Sequence, residues 1–526
     1  MNTHMLSYDY KKKRIIAAGL SLLIMGSVAG CGASSAENTA EVTEHTWNVT
    51  TTAAQNVDYE VKTQTPSIFV NQVGYRTTSD KTVVFCAKEL PQSFEIRELE
   101  SGDTVYTGEI IKSVLDEETG KYTAVGRFND FDKPGEYFVY ADIVGESFSF
   151  SISDEIYGET FKDACRKYYI NRCGIAISQT FAEDNGHSAC HTTVAHMQDA
   201  SDVSIDVTGG WHMDEKADRD TLIGSSIVEN LLLAYEINPE AFGDDEGIPE
   251  SGNEIPDVLD EARYGAEWLL KMQDEKTGGV YGSALTQGSS SGDYFASPVV
   301  VTPVSMDATI NFAAALARFS YIYQQYDGAF ATVALKAADR AYGCFLNNMA
   351  AGDNSASFKA AAQLYRATGN DRYNEVLESF FSLEDFGERF NTDENIFLGC
   401  VTYLSTSQKV SKEVCDYLIK LLMKRSEDIA KKASDSRFLV SAGLDDMAEF
   451  LDDMRCLTVT NHIIYNHEYT TIIENHLHYL MGMNPEGINF VTEDTENTYA
   501  GAGRGGVMND PINDALLIFM MSVLEK

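Results

Sequence analysis

The stretch GGWHMDEKADRD, residues 209–220, leads into a helical pattern, and it mixes acidic side chains with a basic and a thioether side chain. Apolar residues recur with a helical period over 223–237, so the stretch is predicted to be a loop at the start of a helix. It carries several carboxylates, but also Met213 and Lys216. A thioether does not accept a proton, and an ammonium group is already protonated at neutral pH. Neither Met213 nor Lys216 can therefore serve as a general base in this loop.

From about residue 154 onward the chain is helical in character, and its loops are rich in Gly, Asp, Asn and Ser. Strand patterns are nearly absent there, and no linker-like segment interrupts the block, which favours a closed helical architecture. The segments with a helical period are 158–177, 223–237, 255–273, 305–326, 330–348, 357–368, 372–380, 412–432 and 465–482.

Residues 65–153 have a different pattern. Short β-rich runs such as TVVFCAK (82–88) and GEYFVYAD (135–142) alternate in period two. Turn signals separate the runs, among them Ser101-Gly102-Asp103 and Lys133-Pro134-Gly135. This pattern predicts a small β-sandwich ahead of the helical block.

Both regions resemble one enzyme family. DVTGGWH (206–212) and LLLAYE (231–236) resemble the start of the catalytic domain of family-9 glycoside hydrolases, which are cellulases and related β-glucanases. VNQVGY (70–75) and Pro134-Gly135-x-Tyr137 resemble the immunoglobulin-like module that precedes many of these domains. The resemblance implies a multidomain chain: an immunoglobulin-like β-sandwich over 65–153, then an all-α (α/α)6 barrel over 154–526 with its cleft across one end. A free-standing sugar-binding module is the alternative for the first domain.

The family reads Gly-Gly-Trp-x-Asp-Ala-Gly-Asp where this chain has residues 209–216. In the family, the second Asp activates the attacking water and the first helps to hold it. Residues 213–236 align without a gap, so Met213 and Lys216 occupy the two Asp positions. Asp214, one residue from the first position, is the candidate base that remains, and Trp211 is the candidate for contact with a sugar.

The C-terminal motif is also altered. The family continues through a His-His-Arg substrate motif to a Glu that serves as general acid. This chain keeps NPEG (484–487) but has no His-His pair afterwards, and Arg504 is the basic residue available for substrate. Asp510 falls where the Glu is expected and is one methylene shorter. An inverting glycosidase needs its two carboxyls ~6.5–9.5 Å apart. It is therefore in question whether the shorter side chain of Asp510 can reach the glycosidic oxygen.

Cys173, Cys190, His191 and His212 are candidate ligands of a structural zinc ion, because zinc sites use thiolates and imidazoles. Their spacing matches no short zinc-finger pattern, but some family-9 enzymes with the immunoglobulin-like module resemble this chain at all four positions and hold zinc there. The alternatives are a Cys173–Cys190 disulfide, or buried thiols beside solvated histidines.

A calcium ion is a second possible metal. SGNEIPD (251–257) precedes a helix and offers several oxygen ligands of the kind calcium uses. Related enzymes often bind calcium near their clefts. The alternative is that Asp257, Asp260 and Glu261 are acids of the kind expected in the first turns of a helix.

The N-terminus predicts export and lipidation. Lys11 to Arg14 form a basic region, and residues 15–30 are apolar and too short to favour a membrane-spanning helix. VAGC (28–31) resembles a bacterial lipobox, so residues 1–30 are a predicted lipoprotein signal peptide and Cys31 the lipidated residue. An ordinary cleaved signal peptide is the alternative. Residues 31–64 then form a disordered tether, which places the protein at the bacterial cell surface.

The formal net charge of −40 opposes binding to nucleic acid, because Lys and Arg neutralise phosphates in such complexes. Two readings remain open. In the first, the chain is a family-9-like surface lipoprotein that binds β-glucan, cellulose-type chains or a partner, with hydrolysis lost or weakened. In the second, it is an active inverting β-1,4-glucan hydrolase of endoglucanase type that uses Asp214 as base and Asp510 as acid. The joint loss of several motif residues favours the first.

Overall fold

The computed structural model describes residues 66–182, 185–288, 294–348, 354–491, 498–499, 502–503 and 511–524. Residues Thr63–Lys526 form one compact unit. The segments over 1–30 and 31–64, and Cys31 with them, lie outside the described residues. The N-terminal strands are β1 Ile68–Phe69, β2 Gly74–Tyr75, β3 Thr82–Ala87, β4 Ser93–Glu98, β5 Thr104–Asp116, β6 Lys121–Arg127, β7 Gly135–Ala141 and β8 Gly145–Ile152.

These eight strands form one sheet, in the order β1-β3-β6-β5-β4-β7-β8-β2, which folds onto itself as a sandwich. Strand β5 makes the fold possible, because its first half pairs with β4 and its second half with β6. Its register shifts between Ile111 and Val114, as expected where a strand bends. Phe94 on β4 then packs against Phe85 on β3, with ring centroids 5.6 Å apart. The immunoglobulin-like architecture predicted for this region is confirmed.

The first domain is fixed to the helical domain by polar and aromatic contacts. Arg76 pairs with Glu474 at 2.8 Å and donates to the carbonyl of Leu524 at 2.6 Å. The side chains of Asn71 and His478 lie 2.9 Å apart and are buried. These contacts tie the sandwich to the C-terminal part of the helical domain.

The helical domain is a double ring of helices. The inner helices α3, α5, α7, α10, α12 and α14 alternate along the chain with the outer helices α1, α4, α6, α8, α11 and α13. The helices are α1 Gly158–Ile170, α2 Gln179–Ala182, α3 Thr221–Ile237, α4 Asp257–Lys271, α5 Met306–Tyr323, α6 Gly328–Asn348, α7 Ser355–Thr368, α8 Asp371–Phe381, α9 Phe386–Thr392, α10 Glu394–Ser405, α11 Lys412–Asp435, α12 Met447–Ile463, α13 His467–Leu480 and α14 Pro511–Ser522.

The inner helices α3, α5 and α7 run in the same direction, which places their N-termini at one end of the barrel. Near their C-terminal ends, Arg318 of α5 and Arg366 of α7 both pair with Glu236 of α3. Nearer the other end, Lys359 of α7 binds Glu229 of α3 at 2.6 Å. The loop 209–220 leads directly into α3, so it lies at the end where the inner helices begin. The (α/α)6 barrel predicted from the resemblance is confirmed.

The sequence pattern missed several elements. Helices α9, α10, α12 and α14 were not among the predicted segments. Strands are also present in this domain, five of them in a sheet of order β10-β9-β14-β13-β11. Among the described residues, no helix is both long and apolar enough to cross a membrane. The further strands are β9 Ala195–Met197, β10 Ser204–Ile205, β11 Arg219–Asp220, β12 Val280–Tyr281, β13 Ser283–Thr286, β14 Val299–Val301, β15 Val304–Ser305, β16 Thr498–Tyr499 and β17 Ala502–Gly503.

The first prediction concerns a buried ion pair that joins the first and last barrel helices. Lys167 of α1 and Asp514 of α14 lie 2.5 Å apart with side chains at most 3% exposed. Lys167→Met should destabilise the protein by about 3–5 kcal/mol in urea unfolding, because it leaves a buried carboxylate without its cation. The double change Lys167→Met/Asp514→Leu should recover most of the loss.

The control for this prediction is Lys412→Met, which removes an exposed ion pair with Asp416. Exposed pairs contribute little to stability, so its unfolding midpoint should match that of the unmodified protein. Equal midpoints for Lys167→Met and Lys412→Met would contradict the prediction.

Candidate active-site loop and metal centre

The loop 209–220 is anchored by a buried tryptophan. Trp211 is 1% exposed, its indole N–H donates to Glu261 at 3.2 Å, and Arg172 pairs with Glu261 at 2.8 Å. Gly210 has a φ of +74°, and a Cβ there would lie 2.6 Å from the Trp268 ring. Glycine is thus required at 210 for conformation and for space. The burial of Trp211 is at odds with its predicted contact with substrate, since the ring belongs to the core.

Met213 and Lys216 are the two residues that the sequence resemblance places at the family's Asp positions. The Met213 sulfur is half-buried and accepts the backbone N–H of Asp220 at 3.1 Å. Lys216 is exposed to solvent. The structure therefore holds a thioether inside the loop and an ammonium on its surface, and neither side chain accepts a proton from water at neutral pH.

Three neighbouring acids hold the loop in shape. One carboxylate oxygen of Asp214 accepts the backbone N–H groups of Lys216 and Asp218, at 3.0 and 2.9 Å. Asp218 accepts the N–H of Thr286 on β13 at 2.6 Å, and burial raises its pKa. These carboxylates accept hydrogen bonds from backbone N–H groups that would otherwise bond to water.

Asp220 completes this set. It caps α3 by accepting the N–H of Ile223 at 3.0 Å, and it accepts the hydroxyl of Ser283 at 2.8 Å. The bonds of Asp218 and Asp220 to β13 were not foreseen from the sequence. The available signal was limited to an Asp directly before a helical pattern, which is typical of an N-cap.

Asp510 and Arg504 lie outside the described residues, so their predicted roles stay predictions. Asn484 of the preceding motif is described and fully buried. Its side-chain amide donates to the carbonyls of Tyr479 and Ile488, both at 2.7 Å. This part of the motif builds a turn.

The four predicted metal ligands come together in the structure. The ligand atoms of Cys173, Cys190, His191 and His212 all lie within 4.8 Å of one another, and all four residues are buried. Cys173 Sγ lies 3.3 Å from His191 Nδ1, and Cys190 Sγ lies 3.3 Å from His212 Nε2. The sulfurs are 3.8 Å apart, far beyond the ~2.05 Å of a disulfide, and both thiols are free. This Cys/His cluster could hold a metal ion.

Surrounding groups orient the cluster. His191 Nε2 lies 2.9 Å from the carbonyl oxygen of Tyr294, which favours a proton on Nε2 and leaves Nδ1 to face the sulfurs. The pKa of the Cys190 thiol is lowered, first by the hydrogen bond from Cys173 and then by the imidazoles of His191 and His212. Cys173 donates its N–H to the carbonyl of Gly210 at 2.8 Å. The cluster and the Gly-Gly-Trp turn are therefore directly bonded.

The loop predicted to bind calcium is held together by its own side chains. Asp257 accepts the N–H of Glu246 and the hydroxyl of Ser251, both at 2.7 Å. Asp244 accepts the N–H groups of Gly252 and Glu254 at 2.6 and 2.7 Å. Calcium at 251–257 stays a prediction, and these bonds favour the alternative in which the acids serve the loop and the helix.

The fold and the two centres define the class: an immunoglobulin-like module on an (α/α)6 barrel whose Gly-Gly-Trp loop adjoins a Cys/His cluster. Comparison with known proteins supports this class. Residues 157–500 match the model of glycosyl hydrolase family 9, and residues 63–146 match the cellulase N-terminal ig-like domain. This chain belongs to glycosyl hydrolase family 9.

Similar proteins include a cellodextrinase and an endoglucanase. A cellodextrinase of Butyrivibrio fibrisolvens is 27% identical over 82% of this chain and 85% of its own length. Endoglucanase D of Acetivibrio thermocellus is 26% identical over 75% of this chain and 68% of its own length.

Solved structures show the same fold. A metagenome-derived family-9 endoglucanase has a TM-score of 0.76 at 23% identity, over 87% of this chain and 98% of that one. A Zn-binding triple mutant of the family-9 endoglucanase J30 has a TM-score of 0.74 at 21% identity, over 86% and 99% of the two chains.

The second prediction concerns Asp260, beside the 251–257 loop. Burial raises its pKa to about 7, and the side-chain N–H of Asn253 is its hydrogen-bond donor. An acid whose folded pKa is raised contributes its full stability below its unfolded pKa and loses it as pH rises through the folded pKa. Asp260→Asn should therefore gain about 1–2 kcal/mol over the unmodified protein between pH 4 and pH 8, after allowance for solvent screening.

Asp244→Asn is the matched control, and its expected effect on stability has the opposite sign. Partial desolvation raises the pKa of Asp244, but the backbone N–H groups of Gly252, Glu254 and Asn253 lower it further, so the net shift is downward. Its replacement should lower the melting temperature at pH 7 and lose that effect in acid. Parallel stability–pH curves for the two variants would rule out this account of the loop.

Proposed function

We propose that this chain is a surface lipoprotein of a bacterium that binds β-1,4- or mixed-linkage glucan at the loop-bearing end of its barrel, with hydrolysis lost or strongly weakened. One observation carries the proposal: Asp214, Asp218 and Asp220 bind the loop's own framework. The resemblance adds that Met213 and Lys216 occupy the positions that activate water in the family. The names of its relatives, a cellodextrinase and an endoglucanase, support glucan as the ligand class.

The chemical argument rests on what a catalytic base requires. The base must accept a proton from a water placed against the sugar, and general acid–base assistance is worth roughly 10²–10⁴ in rate per group. Asp214 has one oxygen committed to two backbone N–H groups. Its carboxylate is therefore oriented by the loop rather than by a water in the cleft.

An active hydrolase is the second candidate, with Asp214 as base and Asp510 as acid. Asp214 is only half-buried, so one of its oxygens could still reach solvent. Asp510 would have to reach the glycosidic oxygen with a side chain shorter than Glu. The two carboxyls would also have to lie ~6.5–9.5 Å apart to admit water.

The third prediction separates these candidates by reducing-sugar release from carboxymethyl cellulose and barley β-glucan. The unmodified chain should release little or none. Met213→Asp/Lys216→Asp restores both carboxylates at the family's positions, and adding Asp510→Glu should give the highest activity. The gain should be about 10²-fold or more if the base was the missing group.

Lys216→Gln is the matched control, since it removes the ammonium without adding a carboxylate, and it should stay inactive. High activity in the unmodified chain that Asp214→Ala abolishes would overturn the proposal and establish the second candidate. Binding of cello-oligosaccharides without hydrolysis by any variant would leave the chain a binding protein.

Zinc is the metal we propose for the Cys/His cluster. With Zn–S bonds of ~2.3 Å, the edge between two sulfurs of a regular tetrahedron is about 3.8 Å, which matches the 3.8 Å between Cys173 and Cys190. A related fold, the J30 triple mutant, is described as Zn-binding. In this role zinc would hold His212, and through it the neighbouring Trp211 and Met213, in place.

The fourth prediction is that the purified chain from residue 65 onward carries about one zinc ion. Cys190→Ser should lose the metal, and chelation should lower the melting temperature, because a structural zinc contributes directly to folding free energy. Cys86→Ser changes a half-buried thiol outside the cluster and should keep the zinc. Metal analysis that finds no zinc, or equal zinc in Cys190→Ser, would contradict the assignment of zinc to the Cys/His cluster.

Membrane anchoring through Cys31 completes the proposal. The support is the basic and apolar N-terminus that ends in the lipobox-like VAGC at 28–31. Metabolic labelling with a radioactive fatty acid should mark the full chain and not Cys31→Ser. Equal labelling of both would refute lipidation at this residue.

A further inference from the structure

A largely apolar hollow of about 400 Å³ lies at the end of the barrel opposite to the loop 209–220. Ile237, Ser405 and Ile463, the last residues of α3, α10 and α12, all line it. Helix α3 begins at the loop and ends at the hollow, and its 17 residues at ~1.5 Å each place the two about 25 Å apart. The further apolar lining residues are Leu233, Val401, Leu404, Ile419 and Val459.

The charge at the hollow is already balanced by the protein. Glu236 lines the hollow and pairs with Arg318 and Arg366, both of which are buried. Burial raises the pKa of Glu236, but the guanidinium groups of Arg366 and Arg318 lower it further, so the net shift is downward. Glu236 is therefore ionised at neutral pH, and its charge is matched by its own neighbours. The other polar groups that line the hollow, Ser405 and His462, are exposed at its mouth.

These walls select a neutral group with an apolar body. An ion that leaves water for apolar surroundings is stable only where an opposite charge meets it. A cation finds the carboxylate of Glu236 already paired, and an anion is repelled by it. A ring that carries one hydroxyl avoids both costs, because its faces pack on the apolar walls and its hydroxyl bonds at the mouth with Ser405 or His462. The side chain of tyrosine has this chemistry.

The same end of the barrel presents such a side chain to solvent. Tyr465 is 74% exposed, and it follows two other exposed apolar residues, Ile463 and Ile464. Nowhere else in the described part of the chain are three successive large apolar side chains exposed. Apolar patches of this kind mark sites of association. Because Ile463 lines the hollow and Tyr465 lies two residues later, the projecting ring and the hollow share one face of the protein.

We propose that this face is a dimer interface, in which Tyr465 of each copy enters the hollow of the other copy. A two-fold axis brings identical surfaces together, so a projection beside a hollow is complementary to itself and gives a closed dimer. Each aromatic ring buries about 150–250 Å², and a tyrosine seated in a pocket often dominates the energy of an interface. The loops 209–220 of both copies stay free, so the inference is independent of the proposed function.

The net charge of the chain sets the salt dependence of this dimer. Two copies that each carry a formal charge of −40 repel one another at low ionic strength. Salt screens this repulsion, with a screening length of about 8 Å at physiological ionic strength, and it leaves the burial of apolar rings intact. Dimerisation should therefore become tighter as salt is added, whereas an interface held by ion pairs would become weaker.

The test is sedimentation equilibrium of the chain from residue 63 onward, which forms one compact unit. Tyr465→Ser removes the projecting ring, and Ser405→Phe fills the hollow from an exposed position at the end of α10. Tyr122→Ser is the matched control, since it removes an exposed tyrosine from β6 of the sandwich. Melting curves of the three variants should overlay that of the unmodified chain.

We expect the unmodified chain and Tyr122→Ser to form dimers with equal dissociation constants, which fall as salt is added. Tyr465→Ser and Ser405→Phe should each raise the dissociation constant by at least about 10-fold. An equimolar mixture of these two variants should form a mixed dimer that is tighter than the dimer of either variant alone. In that mixed dimer, Ser405→Phe supplies the ring and Tyr465→Ser supplies the open hollow.

Three results would overturn the inference. The first is a monomer at every protein and salt concentration, and the second is a dimer that Tyr465→Ser leaves unchanged or that salt dissociates. The third uses 4-methylphenol, which has the ring and hydroxyl of tyrosine, as a calorimetric probe. Its binding to a monomeric unmodified chain, with loss of binding in Ser405→Phe, would assign the hollow to a free phenol and not to a second copy.

Discussion

The burial of Trp211 between α1 and α4 is the constraint on which the functional end of the barrel depends. Its indole donates a hydrogen bond to Glu261, and Glu261 is held by Arg172, which directly precedes Cys173 of the Cys/His cluster. Desolvated charges of this kind persist only when they are paired, so these three residues stabilise one another. Because His212 follows Trp211 in the chain, the position of the Cys/His cluster and the position of the loop are set together.

The acids that follow Trp211 illustrate the conflict between stability and catalysis. A carboxylate that accepts backbone N–H groups stabilises the loop, but its lone pairs are then committed and its orientation is fixed. Asp214 and Asp220 are used in this way. A catalytic base needs the opposite condition, with an oxygen aimed at a water and short of protein partners. Met213 fits the same logic, since its sulfur accepts the N–H of Asp220 and fills partly buried space.

The fold was predictable where the sequence carries a period. Helix α11 has one buried face, and its predicted bounds lie within a few residues of the observed ones. In contrast, α10 and α14 are buried on nearly all sides, so they lack the polar face that a periodicity reveals. The four cluster residues were predictable from their chemistry and from the family, whereas the bonds from Asp218 and Asp220 to β13 depend on the tertiary fold.

The barrel also buries charges that serve its packing. Near the C-terminal ends of the inner helices, Glu236 of α3 is paired with Arg318 of α5 and Arg366 of α7. Farther along the same helices, Lys359 of α7 binds Glu229 of α3. Removing one partner of such a pair leaves an uncompensated buried charge, so these pairs hold the three neighbouring inner helices together.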